Sequence, residues 1–156
     1  MDEKYMELAL QWARKALKFQ EVPVGAVLVA ADGSVISHGY NMRETWQSPL
    51  AHAEIIALQT AAKRLGKWRL LDTTLYVTLE PCIMCAGALV QSRVKRVVYG
   101  AVDPKAGATE SLYHICNDPR LNHRLEITGG VLQHDCSKIL SNFFRERRLS
   151  KKKIKD

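Results

Sequence analysis

The chain has 156 residues, 47% of them hydrophobic and 25% charged, with a formal net charge of +7. That length supports one domain with a full core and no need of disulfides. No apolar run approaches the roughly 20 residues that span a bilayer, and Met1-Asp2-Glu3-Lys4 does not read as a secretory signal, so no membrane association and a cytoplasmic location are expected.

The charge is unevenly placed. Residues 138–156 carry eight Lys or Arg against two Asp or Glu, whereas residues 1–137 carry 15 against 14. The expected organisation is a single domain over residues 1–150 and a basic C-terminal tail over 151–156. A basic arm favours a polyanion such as nucleic acid; the plainer alternative is a solvated tail that aids solubility.

In chain order, residues 4–19 read as a helix, with Tyr5, Leu8, Ala9, Trp12, Ala16 and Phe19 at three- and four-residue steps. Val24 to Ala30 is a short apolar run that suits a buried strand. Asp32-Gly33 is a hairpin turn signal, and Ser34 to Tyr40 returns as the second strand. Residues 41–50 form a loop. His52 opens a helix to about Arg64, which Gly66 ends. Thr74 to Leu79 is a strand, Pro81 suits a helix start, and Cys82 to about Gln91 is a helix. Val94 to Tyr99 is a further strand. Residues 103–124 form a long polar segment with a short helical piece near Leu112 to Cys116; a loop this long in a compact domain is often functional. Leu125 to Leu132 suggests a last strand interrupted by Gly129-Gly130. Cys136 to Leu149 is a terminal helix that runs into the basic tail. This order implies an α/β domain of three layers around one mixed sheet.

The chemistry concentrates in two places: His52-Ala53-Glu54, and Pro81-Cys82-Ile83-Met84-Cys85. Imidazole nitrogen and thiolate sulfur suit zinc. Two cysteines three apart at a helix start share one face, and the helix dipole there lowers thiol pKa. Three protein ligands leave a tetrahedral zinc one open position, where water is acidified to a pKa of about 7. Glu54, two residues from His52, is the spare carboxylate that can take and return that water's proton. Other readings of the pair are a redox couple or a closed structural zinc site, with a fourth ligand from Cys116, Cys136, His114, His123 or His134. Cys116 and Cys136 read most simply as small buried hydrophobes.

With these motifs set out, the chain resembles the zinc-dependent nucleotide deaminase superfamily, and within it the bacterial tRNA-specific adenosine deaminases. The resemblance rests on His52-Ala53-Glu54, on Thr78-Leu79-Glu80-Pro81-Cys82 with Cys85, and on Glu21 to Val27, Gly39-Tyr40-Asn41, Arg96 to Ala101, Asn122-His123-Arg124 and Phe143-Phe144-Arg145. It implies a cytidine-deaminase-like α/β/α fold with a five-stranded mixed sheet. It implies one zinc per subunit on His52, Cys82 and Cys85, with Glu54 as proton shuttle. It implies conversion of adenosine to inosine at the wobble position of a tRNA anticodon stem-loop, by a homodimer. It carries substrate contacts onto Asn41, Ala53, Val24, Asp103, Asn122, His123, Phe144 and Arg145, with Phe143 packing in the core. Two competing functions stay open on the sequence. One is deamination of a free base or nucleotide, against which the basic arm argues; the other is a non-catalytic RNA-binding protein with a structural zinc, against which Glu54 argues.

Overall fold

A computed structural model describes residues 1–155. Its elements are α1 (Asp2–Leu17), β1 (Gly25–Val29), β2 (Val35–Tyr40), α2 (Ala53–Leu65), β3 (Thr74–Leu79), α3 (Ile83–Gln91), β4 (Arg96–Ala101), a 3-10 turn at Ile115–Asn117, β5 (Glu126–Thr128) and α4 (Gln133–Lys155). The strands form one sheet in the order β2-β1-β3-β4-β5. β1 is antiparallel to β2 and β3, while β3, β4 and β5 run parallel.

The sheet is covered on both faces, which explains why β1 and β3 read as near-continuous apolar runs. On one face Ala26, Leu28, Leu75, Val77 and Val97 pack with Ala57, Leu58 and Ala61 of α2 and Leu89 of α3. On the other, Val27, Val29, Tyr76 and Val98 pack with Met6, Ala9 and Leu10 of α1 and Cys136 of α4. Alternate side chains along each strand thus feed two cores, and each fully buried Leu or Val contributes about 1.5–3 kcal/mol.

Several boundaries and faces differ from expectation. α1 buries Tyr5, Met6, Ala9, Leu10, Ala13 and Ala16. Its small residues let the helix sit close on the sheet, and the larger Trp12 laps over the edge strand, stacked on His38 with centroids 3.5 Å apart. Phe19 lies past the helix end and is exposed. The last strand stops at Thr128, because Gly129 packs against the Tyr99 ring, where a Cβ would clash, and Gly130 turns the chain with φ +83. The 3-10 turn falls at Ile115–Asn117, slightly later than expected. Phe143 is half-buried, edge-on to Phe144 at 5.3 Å, outside both cores. α4 runs without a break across Ser150 into the basic residues. Among the described residues no helix is long and apolar enough to cross a membrane.

Candidate metal centre and active site

Two helix starts converge at the carboxyl ends of β3 and β4, where sites in open α/β sheets form. The first is the start of α2. Gly39 of β2 lies against the Ala53 carbonyl so closely that a Cβ there would collide with backbone, so α2 is seated by contact with the sheet. His52 is the N-cap of that helix and makes no side-chain cap bond, so its ring is free to act as a ligand. The second is the start of α3. Cys82 is likewise an N-cap without a side-chain cap bond, and Cys85 lies in the first turn.

The donors are placed for a tetrahedral ion. Cys82 Sγ and Cys85 Sγ each lie 3.6 Å from His52 Nδ1. Metal–sulfur bonds of about 2.3 Å and metal–nitrogen bonds of about 2.0–2.1 Å at tetrahedral angles would put each S···N pair about 3.6 Å apart. All three donor atoms lie within 4.8 Å of one another. The hydrogen bond from Cys85 holds the Cys82 thiol down at about 4, while the Cys82 sulfur beside it pushes Cys85 well above the usual thiol range. The pairing favours the thiolate form at Cys82, the form that binds zinc. Cys116 and Cys136 are each fully buried in the hydrophobic cores, and the donor cluster does not include them. The set thus fits an open three-ligand zinc site better than a closed one.

Glu54 is buried beside the donors, and burial pushes its carboxyl up to about 7. A group with that pKa can both take and give a proton near neutrality. His52, Cys82 and Glu54 line a cleft of about 700 Å³, while Cys85 is fully buried beside them. Val24, Asn41, Ala53, Asp103 and Phe144 line it too. Asn41 donates from Nδ2 to the Val22 carbonyl at 3.2 Å and accepts at Oδ1 from the Arg43 N–H at 3.1 Å. One N–H and one lone pair of its amide stay available to a ligand. Asp103 Oδ1 accepts from the N–H groups of Lys105 and Ala106, each at 3.1 Å, and so also caps its own turn.

Three expected site residues stand away from this cleft. Asn122 is exposed, and the His123 ring bonds the Val94 carbonyl at 2.7 Å. Both precede β5, which runs parallel to β4, so they lie at the amino ends of these strands. The carboxyl end of β4 is roughly 17 Å off at about 3.3 Å per residue. Arg145 bonds Asn142 Oδ1 at 2.9 Å, and Arg148 lines the cleft in its place. The reason is helical: one residue beyond Phe144 points about 100° away, whereas four residues beyond it shares its face. The spacing Leu140, Phe144, Arg148 was available in the sequence as the signal for this.

Two buried glutamates, Glu21 and Glu80, lie in motifs that carry the resemblance, but the sequence reading gave them no role. Glu21 Oε2 accepts from the Thr45 N–H and hydroxyl, each at 2.6 Å, and Oε1 from the Glu44 N–H at 3.2 Å. It ties the loop after Asn41 to the body. Glu80, between β3 and Pro81, accepts from the Asp103 N–H at 3.0 Å, the N–H groups of Glu110 and Ser111 at 2.9 Å, the Thr109 hydroxyl at 3.2 Å and the Ser111 hydroxyl. Burial works against its charge, yet these donors hold it at about 2. Gly107 packs on the carboxylate, where any Cβ would clash. An ionisable residue ending an apolar strand was the available signal for Glu80.

Residues 1–101 match the model of the cytidine and deoxycytidylate deaminase zinc-binding region, and the chain belongs to that deaminase family. The donor set described above lies within that matched region and is able to hold its metal ion. Within the family it stands with the tRNA-specific adenosine deaminases. It is 53% identical to that of Haemophilus influenzae over 151 residues, 97% of this chain and 87% of the relative. It is 52% identical to that of Bacillus subtilis over 151 residues, 97% and 93% of the two chains. A solved structure from work on A-to-I editing by tRNA:A34 deaminases at the wobble position of transfer RNA superposes with a TM-score of 0.84, at 44% identity, over 88% of this chain and 99% of that one.

Proposed function

We propose that the protein hydrolyses adenosine to inosine at the wobble position of a tRNA anticodon, using zinc. The observation that carries this is a cluster of three metal donors that opens, through His52 and Cys82, onto the same cleft as the buried Glu54, in a chain 53% identical to a tRNA-specific adenosine deaminase. The net reaction adds water at C6 of adenine, breaks the C6–N6 bond and releases ammonia. When bound, zinc supplies the Lewis acidity that makes water a nucleophile near neutral pH. Glu54 takes the proton of that water, gives one to N1 of the ring, and serves the departing amine. Asn41 uses its free N–H and lone pair on the base edge. Val24 and Ala53 wall the base and keep bulk water away from Glu54.

The outer contacts extend this reading. Asp103 meets the ribose of the target nucleotide, Phe144 offers a stacking face, and Arg145 and Arg148 serve phosphates. An anticodon loop presents unstacked bases, so no duplex has to melt. Asn122 and His123 lie too far from this chain's cleft to touch the base held there. Their RNA contact, if the chain is a homodimer, is with RNA bound at the partner. Residues 1–150 form the catalytic unit, and a cytoplasmic location follows from the substrate.

Incubation with bulk tRNA and, separately, with free adenosine, cytidine and guanine tests the function. Inosine in tRNA alone is the expected result. Turnover of a free base or nucleoside alone would replace this reading with that of a small-metabolite deaminase. Sedimentation velocity at micromolar concentration, expected to give twice the 17.6 kDa chain mass, tests the homodimer.

A further inference from the structure

Leu140, Phe144 and Arg148 line the cleft and are spaced four apart, so they form one stripe of α4. The helix does not stop at the cleft rim but continues to Lys155. At 3.6 residues per turn, Lys151 lies within about 20° of Phe144 on the helix circumference, and Lys153 about 180° away. A rise of 1.5 Å per residue sets Lys151 about 10 Å beyond Phe144 along the axis. Arg147 is engaged elsewhere, its guanidinium 5.7 Å from the Phe143 ring centroid. Every residue from Arg145 to Ile154 is exposed, so among the described residues nothing covers the stripe beyond Phe144.

We infer that the last turns of α4 are a rigid phosphate rail, in which Lys151, on the helix face that carries Phe144 and Arg148, holds a backbone phosphate of the RNA that flanks the target nucleotide. The positive charge there acts by position on the helix, not as a diffuse cloud from a loose tail. A rigid cation at a fixed distance from the base pocket keeps the RNA in register and loses less side-chain and backbone freedom on binding than a disordered arm would. This rests on the tRNA reading above.

Three variants test the rail, each assayed for inosine formation on the same tRNA over a range of salt concentrations. Lys151→Ala should lower kcat/KM by roughly three- to tenfold and reduce the salt slope by about 1, as for one phosphate contact. Lys153→Ala removes the same charge from the opposite side and should change kcat/KM less than about twofold. Ser150→Pro keeps every charge but breaks the helix ahead of Lys151, and should match the loss in Lys151→Ala. Equal losses in the two lysine variants, or an unaffected Ser150→Pro, would overturn the rail while wild-type inosine formation kept the tRNA reading intact. Absence of inosine with the wild type would sink both.

Discussion

Glu54 and Glu80 are both buried, and their surroundings drive them in opposite directions. Glu54 meets too little hydrogen bonding to offset desolvation and rises to about 7. Glu80 accepts five hydrogen bonds from the 103–111 segment and stays ionised, at about 2. One is equipped to move protons, the other to hold a loop. Glu54→Ala should therefore reduce turnover by at least about 10²- to 10⁴-fold, the range of general acid–base catalysis. Its zinc content, read by elemental analysis, should stay near that of the wild type; loss of metal would make Glu54 a ligand instead. Glu80→Ala should do something else. It leaves the part-buried N–H groups of Glu110, Ser111 and Asp103 and the buried Thr109 hydroxyl without their acceptor, at up to about 1–3 kcal/mol for each that no water reaches. The segment carrying Asp103 and Lys105 should loosen, visible as faster proteolysis there and a raised KM, with zinc retained.

The helices are seated by a few specific contacts as well as by the two cores. α1 is pinned at its start by Asp2, whose carboxylate accepts from Arg96 at 2.9 and 2.7 Å and from the Tyr76 hydroxyl at 2.9 Å. Arg96 also reaches the Thr128 hydroxyl at 2.9 Å, so one ion pair joins α1 to β3, β4 and β5. Its bond to Arg96 holds Asp2 below its ordinary value of 3.8. A depressed folded pKa stabilises the native state above the unfolded pKa, and that contribution is lost as pH falls through 3.8 and below. Asp2→Asn should thus lower stability by about 1 kcal/mol at pH 7, a partly exposed pair being worth no more. In a chain of this size that is roughly 2–4 °C in Tm. The difference between variant and wild type should narrow steadily as pH falls below 3.8; a gap that does not narrow there would mean the carboxylate charge is not its source.

For the whole molecule, zinc and charge carry the expectations. The donors come from two helix starts, so zinc binding ties α2 to α3 and its free energy adds to folding. Chelator treatment should abolish activity and lower Tm, and stoichiometric zinc should restore both. An unchanged Tm after verified metal loss would mean that the helix starts hold their geometry without it. The net charge of +7 sits mostly at the end of α4. Activity on tRNA should accordingly fall steeply with salt, with log kcat/KM linear in log salt concentration. A flat profile would mean that phosphate contacts contribute little.

Much of this was legible along the chain. The candidate zinc donors and Glu54 were legible as a His-x-Glu and a Cys-x-x-Cys spacing, because ligand type and helix geometry are short-range properties, and a family resemblance joined the two. Strand β3 and the stop of α2 at Gly66 followed from apolar runs and turn chemistry for the same reason. What needed the tertiary structure were relations between distant segments. That Arg148 and not Arg145 reaches the cleft depends on how α4 lies against the sheet. That Asn122 and His123 lie at the far end of the strands depends on β5 running parallel to β4. That Glu80 organises the loop after β4 depends on chain roughly 30 residues away folding back over it. Sequence determined which groups could do the chemistry. Packing decided which of them share one cleft, because only the folded chain sets distances between residues far apart along it.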